Sequence, residues 1–259
     1  MDGPAKETVF ETAAALAGEI LLASGAEIFR VDETMCRIAR AYQCGGLEPF
    51  VLSNGIFLTS GGAGGEHYRA KVRHIPLGGS RLDRIDAVNQ LSREIEQGLH
   101  TPAQALEELR RIRTSSQKPA WLQVLASGLG SGAFCFLFGG SLADAAAAFL
   151  AGLALYSYFL FVVRGRLSKI ALNISGGALV TLLSILLVKL GLGARLDMVT
   201  VGAIIPLLPG VAFTNAIRDI ADEDYISGTV RLLDVILVVV CAAFGVGLVM
   251  AGYNACMGV

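Results

Sequence analysis

Charge is scarce in this sequence and nearly absent from much of its second half. Of 259 residues, 17% are charged and 54% hydrophobic. Soluble proteins carry about 25% charged residues, so the balance points to a membrane protein. The formal net charge is −1. With no basic excess to neutralise a phosphate backbone, no nucleic-acid partner is expected. The five cysteines, Cys36, Cys44, Cys135, Cys241 and Cys256, show no CxxC or Cys/His spacing. That argues against a disulfide framework and against a zinc site, and no metal or cofactor is expected. His67, His74 and His100 are scattered, and no nucleophile stands beside a base. The reading is therefore not an enzyme, with no catalytic residue. The glycine-rich GGAGG from Gly61 lacks a following Lys-Ser/Thr and opens no helix, so it is read as a loop rather than a phosphate cradle. The start, MDGPAKETVFE, is polar and lacks the apolar core of a signal peptide.

Most of the charge lies before Lys118. Residues 1–118 are therefore expected to form a small cytoplasmic α/β domain, and residues 119–259 a membrane domain. Helical spacing of apolar residues runs from Glu7 to Leu22, is interrupted at Ser24-Gly25, and resumes from Ala26 to Tyr42. Glu27 and Arg30, and Arg30 and Glu33, stand three apart and can pair on one helix surface. Gly45-Gly46 is expected to end the second helix. Phe50–Leu52 and Ile56–Thr59 read as a hairpin turning at Asn54-Gly55, and Tyr68–Ile75 as a half-exposed third strand. Leu82–Gln97 and Thr101–Arg113 read as amphipathic helices, the second with Thr101 as N-cap and Pro102 at its first position.

Five apolar segments follow: Ala120–Phe138, Ala143–Val163, Ile170–Leu190, Val199–Ala216 and Leu232–Ala251. About 20 apolar residues cross a core of ~30 Å, so five transmembrane helices are expected. Arg110, Arg111, Arg113 and Lys118 precede the first segment, Arg164, Arg166 and Lys169 follow the second, and Arg218 and Arg231 follow the fourth. The opposite loops hold only Arg195, with Lys189 at the edge. Positive charge marks the cytoplasmic side, which places the N-terminus inside and the C-terminus outside. Gly128, Gly130, Gly132, Gly176, Gly177, Gly245 and Gly247 allow close helix packing. Asn173 is polar near the inner end of the third segment, where it can line a path or bond a neighbouring helix.

The fourth segment is unusual. It carries Pro206 and Pro209, then Gly210, and gives out into Asn215, Arg218 and Asp219. Proline removes a backbone donor and clashes with the preceding turn. Broken helices of this kind build substrate sites in transporters, and a kinked helix held by its neighbours is the other reading. Asn215, Arg218 and Asp219 share one face. Arg218 is the nearest fixed cation to the break and can grip a cargo carboxylate through two parallel bonds, with Asp219 holding it or taking a coupling proton. The alternative is that Arg218 only anchors the helix at the inner interface and pairs with Asp219.

Three stretches, GAEIFRVDETMCRIARAY at Gly25–Tyr42, FVLSNGIFLTS at Phe50–Ser60 and PGVAFTNAIRDIADEDYISGTVR at Pro209–Arg231, resemble the threonine/serine exporter (ThrE) family, and more narrowly its short split, YjjP-like form. The resemblance implies a cytoplasmic domain followed by one group of about five membrane helices. The second group would come from a YjjB-like small membrane subunit. It implies export of threonine and serine, or of succinate for the split form, across the cell inner membrane. It points to Gly25, Glu27, Arg30 and Asp32, where Asp32 replaces a more usual Glu, and to Pro209, Gly210, Asn215, Arg218, Asp219, Ser227, Gly228 and Arg231. Expected partners are that subunit or further copies of the chain, the small-molecule substrate and membrane lipid. The competing functions are a non-transporting anchor with a metabolite-sensing cytoplasmic domain and a membrane-bound hydrolase. With no nucleotide motif, transport would draw on an ion or substrate gradient.

Overall fold

A computed structural model describes residues 3–43, 47–61, 68–76, 78–163 and 167–257. The chain divides into two compact units. The first comprises residues 1–116 with 211–232, and the second residues 117–210 with 233–259.

The first unit opens with α1 (Gly3–Ala23), α2 (Ile28–Ala41), strands β1 (Leu47–Leu52), β2 (Gly55–Gly61) and β3 (Tyr68–His74), then α3 (Leu82–Glu96) and α4 (Pro102–Thr114). The second half of α1 is apolar but for Glu19, which pairs with Arg73 of β3, and Ala13 to Ala17 and Ile20 to Leu22 are buried. A helix with so wide an apolar surface has to be covered on most sides. It packs against α2, α3, α4 and β2. The strands form an antiparallel sheet in the order β1-β2-β3. Val51, Ile56 and Leu58 face the core, while Phe50, Phe57 and Val72 are exposed, the alternation of a half-covered sheet. Thr101 and Gln104 form a full capping box with Pro102 at the head of α4, as expected.

Two local expectations are corrected. Leu52 pairs with Gly55, so the hairpin loop is Ser53-Asn54, one residue earlier than the Asn-Gly dipeptide suggests. Gly55 fits closely inside the strand, where a Cβ would sit 3.1 Å from the Arg73 carbonyl oxygen. Helix α2 ends before the glycines, with Gln43 in the left-handed region at φ 57°. Gly45-Gly46, the run Gly62–Gly65, His67, Arg164 and Arg166 lie outside the described residues.

The second unit contains α5 (Ala120–Leu137), α6 (Leu142–Ser157) continued by a π-helical segment Tyr158–Val163, α7 (Lys169–Lys189) and α8 (Leu196–Ile204). Beyond a break, α9 (Gly210–Ala221) from Val211 onward and the start of α10 (Tyr225–Met257) belong to the first unit, and the rest of α10 returns to the second. Among the described residues, four helices are long and apolar enough to span a membrane: α5, Leu142–Val163, α7 and α10. The broken pair Leu196–Leu207 and Gly210–Ala221 makes a fifth if it counts as one span. The protein is thus a multi-pass α-helical membrane protein with a small three-stranded sheet near its N-terminus. At about 1.5 Å per residue, the 33 residues of α10 reach about 50 Å, well beyond an apolar core of ~30 Å.

Glycine sets the helix contacts of the second unit. A Cβ on Gly177 would meet the Ala242 carbonyl oxygen at 2.3 Å, one on Gly245 the Ile174 carbonyl oxygen at 2.1 Å, and one on Gly132 the Ala145 carbonyl oxygen at 2.9 Å. A Cβ on Gly128 would meet Leu153 Cδ2 of α6 at 2.7 Å, and one on Gly176 would meet Phe159 of the π-helical extension and Leu207 at 3.1 Å. Gly130 and Gly247 differ, with nothing within 4 Å of the added atom among the described residues.

Of the two prolines, the second makes the break. Ile205 keeps helical angles ahead of Pro206, which sits in a 3-10 turn, Ile205–Leu207. Leu208, ahead of Pro209, is extended at ψ 125°. The Pro209 ring disfavours helical geometry in the residue before it. The helix stops there and restarts at Gly210.

Candidate functional site

The turn between α1 and α2 is the centre of the candidate site. Gly25 adopts φ +77°, its amide donates to the Leu22 carbonyl, and the Ala26 amide donates to the Leu21 carbonyl. This is a Schellman ending, which needs a left-handed residue where glycine stands. Glu27 then takes the N-cap position of α2, but its side chain makes no cap hydrogen bond. The first amides of a helix are left without intrahelical partners.

Those needs are met from almost two hundred residues away. Asp219 Oδ1 on α9 accepts from the Ile28 amide at 3.0 Å. Asp219 Oδ2 accepts from Arg231 Nη1 on α10 at 2.8 Å, and Arg231 Nη2 donates to the Ala26 carbonyl at 2.9 Å. Asn215 Nδ2 donates to the Gly25 carbonyl at 2.8 Å. Arg218 Nη1 donates to Glu27 Oε1. Residues 25 to 28 are therefore each gripped by a residue of α9 or α10. The Asp219 and Arg231 side chains are buried, at 1% and 6% exposure, whereas Arg218 is 53% exposed.

Gly228 lets the start of α10 approach α9. A Cβ there would lie 2.5 Å from Ile220 Cγ1 and 3.0 Å from the Ala216 carbonyl oxygen. The Ser24 and Ser227 hydroxyls, both in this unit, are buried and have no hydrogen-bond partner among the described residues.

Several expectations about individual residues take definite form. Asn215, Arg218 and Asp219 do share a face, and that face meets the α1–α2 turn. Asp219 bonds Arg231 and Ile28, not its neighbour Arg218, because successive residues on a helix do not face each other. Arg30 lies 3.8 Å from Glu27, while Glu33 bonds Arg37 in place of Arg30. Asp32 has no hydrogen-bond partner among the described residues, and partial burial raises its carboxyl above the usual range. Asn173 donates to the Lys169 carbonyl of its own helix at 2.7 Å. It belongs to the second unit together with Pro206, Pro209 and Gly210; the other candidates lie in the first.

Sequence reasoning missed two charged groups of the second unit. Asp144 closes a capping box with Ser141 and also accepts from the Ala194 and Arg195 amides at 2.7 and 2.9 Å. The Ser-x-x-Asp spacing at the head of α6 was a readable signal for the first role, and nothing local signalled the second. Asp234 on α10 pairs with Lys169 at the head of α7, 2.6 Å from Nζ to Oδ1. An acidic residue inside an apolar run was the available signal there.

Neither curated proteins nor solved structures give a match to this chain. The model of one family, ThrE, described as a threonine/serine exporter, matches residues 12–253. The match takes in both gripping helices and the turn they hold as well as the candidate spans, and the chain belongs to the ThrE family of threonine/serine exporters.

Proposed function

We propose that the chain is one component of a secondary exporter that carries small carboxylate-bearing metabolites out of the cytoplasm. The cargo is threonine or serine, or a succinate-type dicarboxylate. Family membership supports the exporter. The Lys and Arg distribution supports a cytoplasmic N-terminal unit and an outer C-terminus, and export out of the cytoplasm supports residence in the cell inner membrane. The glycine faces left open at Gly130 and Gly247 support a further membrane subunit, YjjB-like or a second copy of the chain.

The observation that carries the reading is the contrast between two ion pairs in one cluster. The Asp219–Arg231 pair is buried and bonded to backbone, as a fixed part of the fold. The Arg218–Glu27 pair is half-exposed on its Arg side and held by side chains alone. A cargo carboxylate can replace Glu27 on Arg218, because a guanidinium offers the same fork to either carboxylate. Exposed pairs are worth little net free energy, so giving up the pair for a cargo carboxylate costs little.

The test is efflux of threonine, serine and succinate from cells lacking the chain, complemented with wild type or Arg218→Lys, with and without the partner subunit. Lysine keeps the charge and loses the fork. Export is expected to fall about tenfold or more, at normal abundance in the membrane. Normal export by Arg218→Lys at normal abundance would overturn the assignment of Arg218.

A further inference from the structure

The end of α6 departs from α-helical geometry. Ser157 donates its hydroxyl to the Leu153 carbonyl of its own helix at 2.8 Å, and the π-helical segment Tyr158–Val163 follows at once. A hydroxyl bonded back to the carbonyl four residues earlier competes with the backbone ladder and bends helices. π-helical turns are rare and occur frequently at functional sites. Two tyrosines tie this one to its neighbours. Tyr156 donates to Gln123 Oε1 of α5 and Tyr158 to Ser175 Oγ of α7, both at 3.0 Å. The Phe159 ring stands 6.4 Å from the first tyrosine ring and 5.9 Å from the second. It reaches α7 at Gly176, where an added Cβ would lie 3.1 Å from both Phe159 Cζ and Leu207 Cδ2. Leu207 ends the 3-10 turn ahead of the Pro209 break. The π-helical turn and the broken helix thus meet over one glycine.

The buried face of α7 shows what this contact separates. Asn173, Gly176, Val180 and Ser184 follow at three- and four-residue spacing, so they share a face, and all four are buried. The face is polar at Asn173, apolar where Phe159 and Leu207 cover Gly176 and Val180 follows, and polar again at Ser184. The Ser184 hydroxyl is fully buried and has no hydrogen-bond partner among the described residues. Such a group costs free energy until water or a solute meets it.

We propose that Phe159 and Leu207 form an apolar gate over Gly176, with the π-helical turn as its hinge. Apolar constrictions close a path by excluding water and the polar solutes that travel with it. One residue step on a helix is a rotation of about 100°, so converting the π turn to α geometry swings Phe159 off Gly176 and opens the face between Asn173 and Ser184. The two tyrosine hydroxyls hold the turn in the closed arrangement. Glycine at position 176 lets both side chains settle against the α7 backbone, which a Cβ would crowd. The solute that passes rests on the exporter reading, and the gate itself does not.

The experiment measures passage without cargo. Ser184→Cys, a change that keeps the shape of the side chain, places a thiol beyond the gate. A charged methanethiosulfonate reagent is applied to inside-out membrane vesicles carrying the full chain, and mass spectrometry reads modification at position 184. Slow modification is expected while Phe159 is in place. Phe159→Ala is expected to speed it about tenfold or more. Tyr158→Phe, which cuts only the tie to α7, is expected to speed it about threefold or more. Leu155→Ala thins the same apolar core one turn away from Phe159 and is expected to leave the rate within about twofold. The proposal is overturned if both Phe159→Ala and Tyr158→Phe leave the rate unchanged, or if Leu155→Ala speeds modification as much as Phe159→Ala. Efflux of threonine, serine or succinate plays no part in this readout, so failure of the exporter reading and failure of the gate are told apart.

Discussion

Replacing Asp219 by Ala would strand the Ile28 amide and leave the Arg231 guanidinium buried without its counter-ion. Breaking a buried pair from one side costs about 3–5 kcal/mol. Against a typical total stability of about 5–15 kcal/mol, this is a large fraction. Asp219→Ala is expected to cut abundance in the membrane and lower the thermal unfolding midpoint in detergent. Asp219→Asn keeps an oxygen acceptor and should fall between. A midpoint equal to wild type for Asp219→Ala would show that the cap and pair do not support the fold. The sequence displays Asp219 beside Arg218 and invites that pairing. Its actual partners are 12 and 191 residues away. No periodicity or spacing rule reports a contact across such a separation, so the candidate residues were legible singly and their arrangement was not.

Among the elements, α8, α9 and the break between them were readable because proline acts on its immediate neighbour. What the sequence could not tell was which of Pro206 and Pro209 breaks the helix, since a 3-10 turn absorbs the first. The small-residue faces were readable as a class, but the partner of each glycine is a tertiary fact. That distinction is testable. Gly228→Val and Gly177→Val force a side chain against backbone at 3.0 Å and 2.3 Å, respectively. Over-packing of this kind costs about 1–3 kcal/mol, and both variants are expected to lower the thermal midpoint of the purified chain. Gly247→Val enters open space and should leave that midpoint unchanged. Equal losses for all three would refute the assignment of Gly247 to an unoccupied face.

For the molecule as a whole, the proposed orientation predicts that a reporter fused after Val259 registers outside the membrane. An inside reading would overturn the charge argument and require an even number of crossings. The fall in charge near Lys118 made the start of the membrane region legible. It did not reveal that residues 211–232 cluster with the N-terminal unit, because that membership rests on the distant bonds to the α1–α2 turn. This discontinuity bears on biosynthesis. Residues 1–116 leave the ribosome first, yet the cap of α2 arrives only with residue 219 and the counterpart of Ala26 only with residue 231. The intervening stretch of about 115 residues takes on the order of 6–23 s to make at about 5–20 residues per second. During that interval most of the apolar segments must already be passed to the insertion machinery. The N-terminal unit can therefore close only after most of the membrane part has been delivered, so a chain stalled in translocation would carry an unfinished first unit.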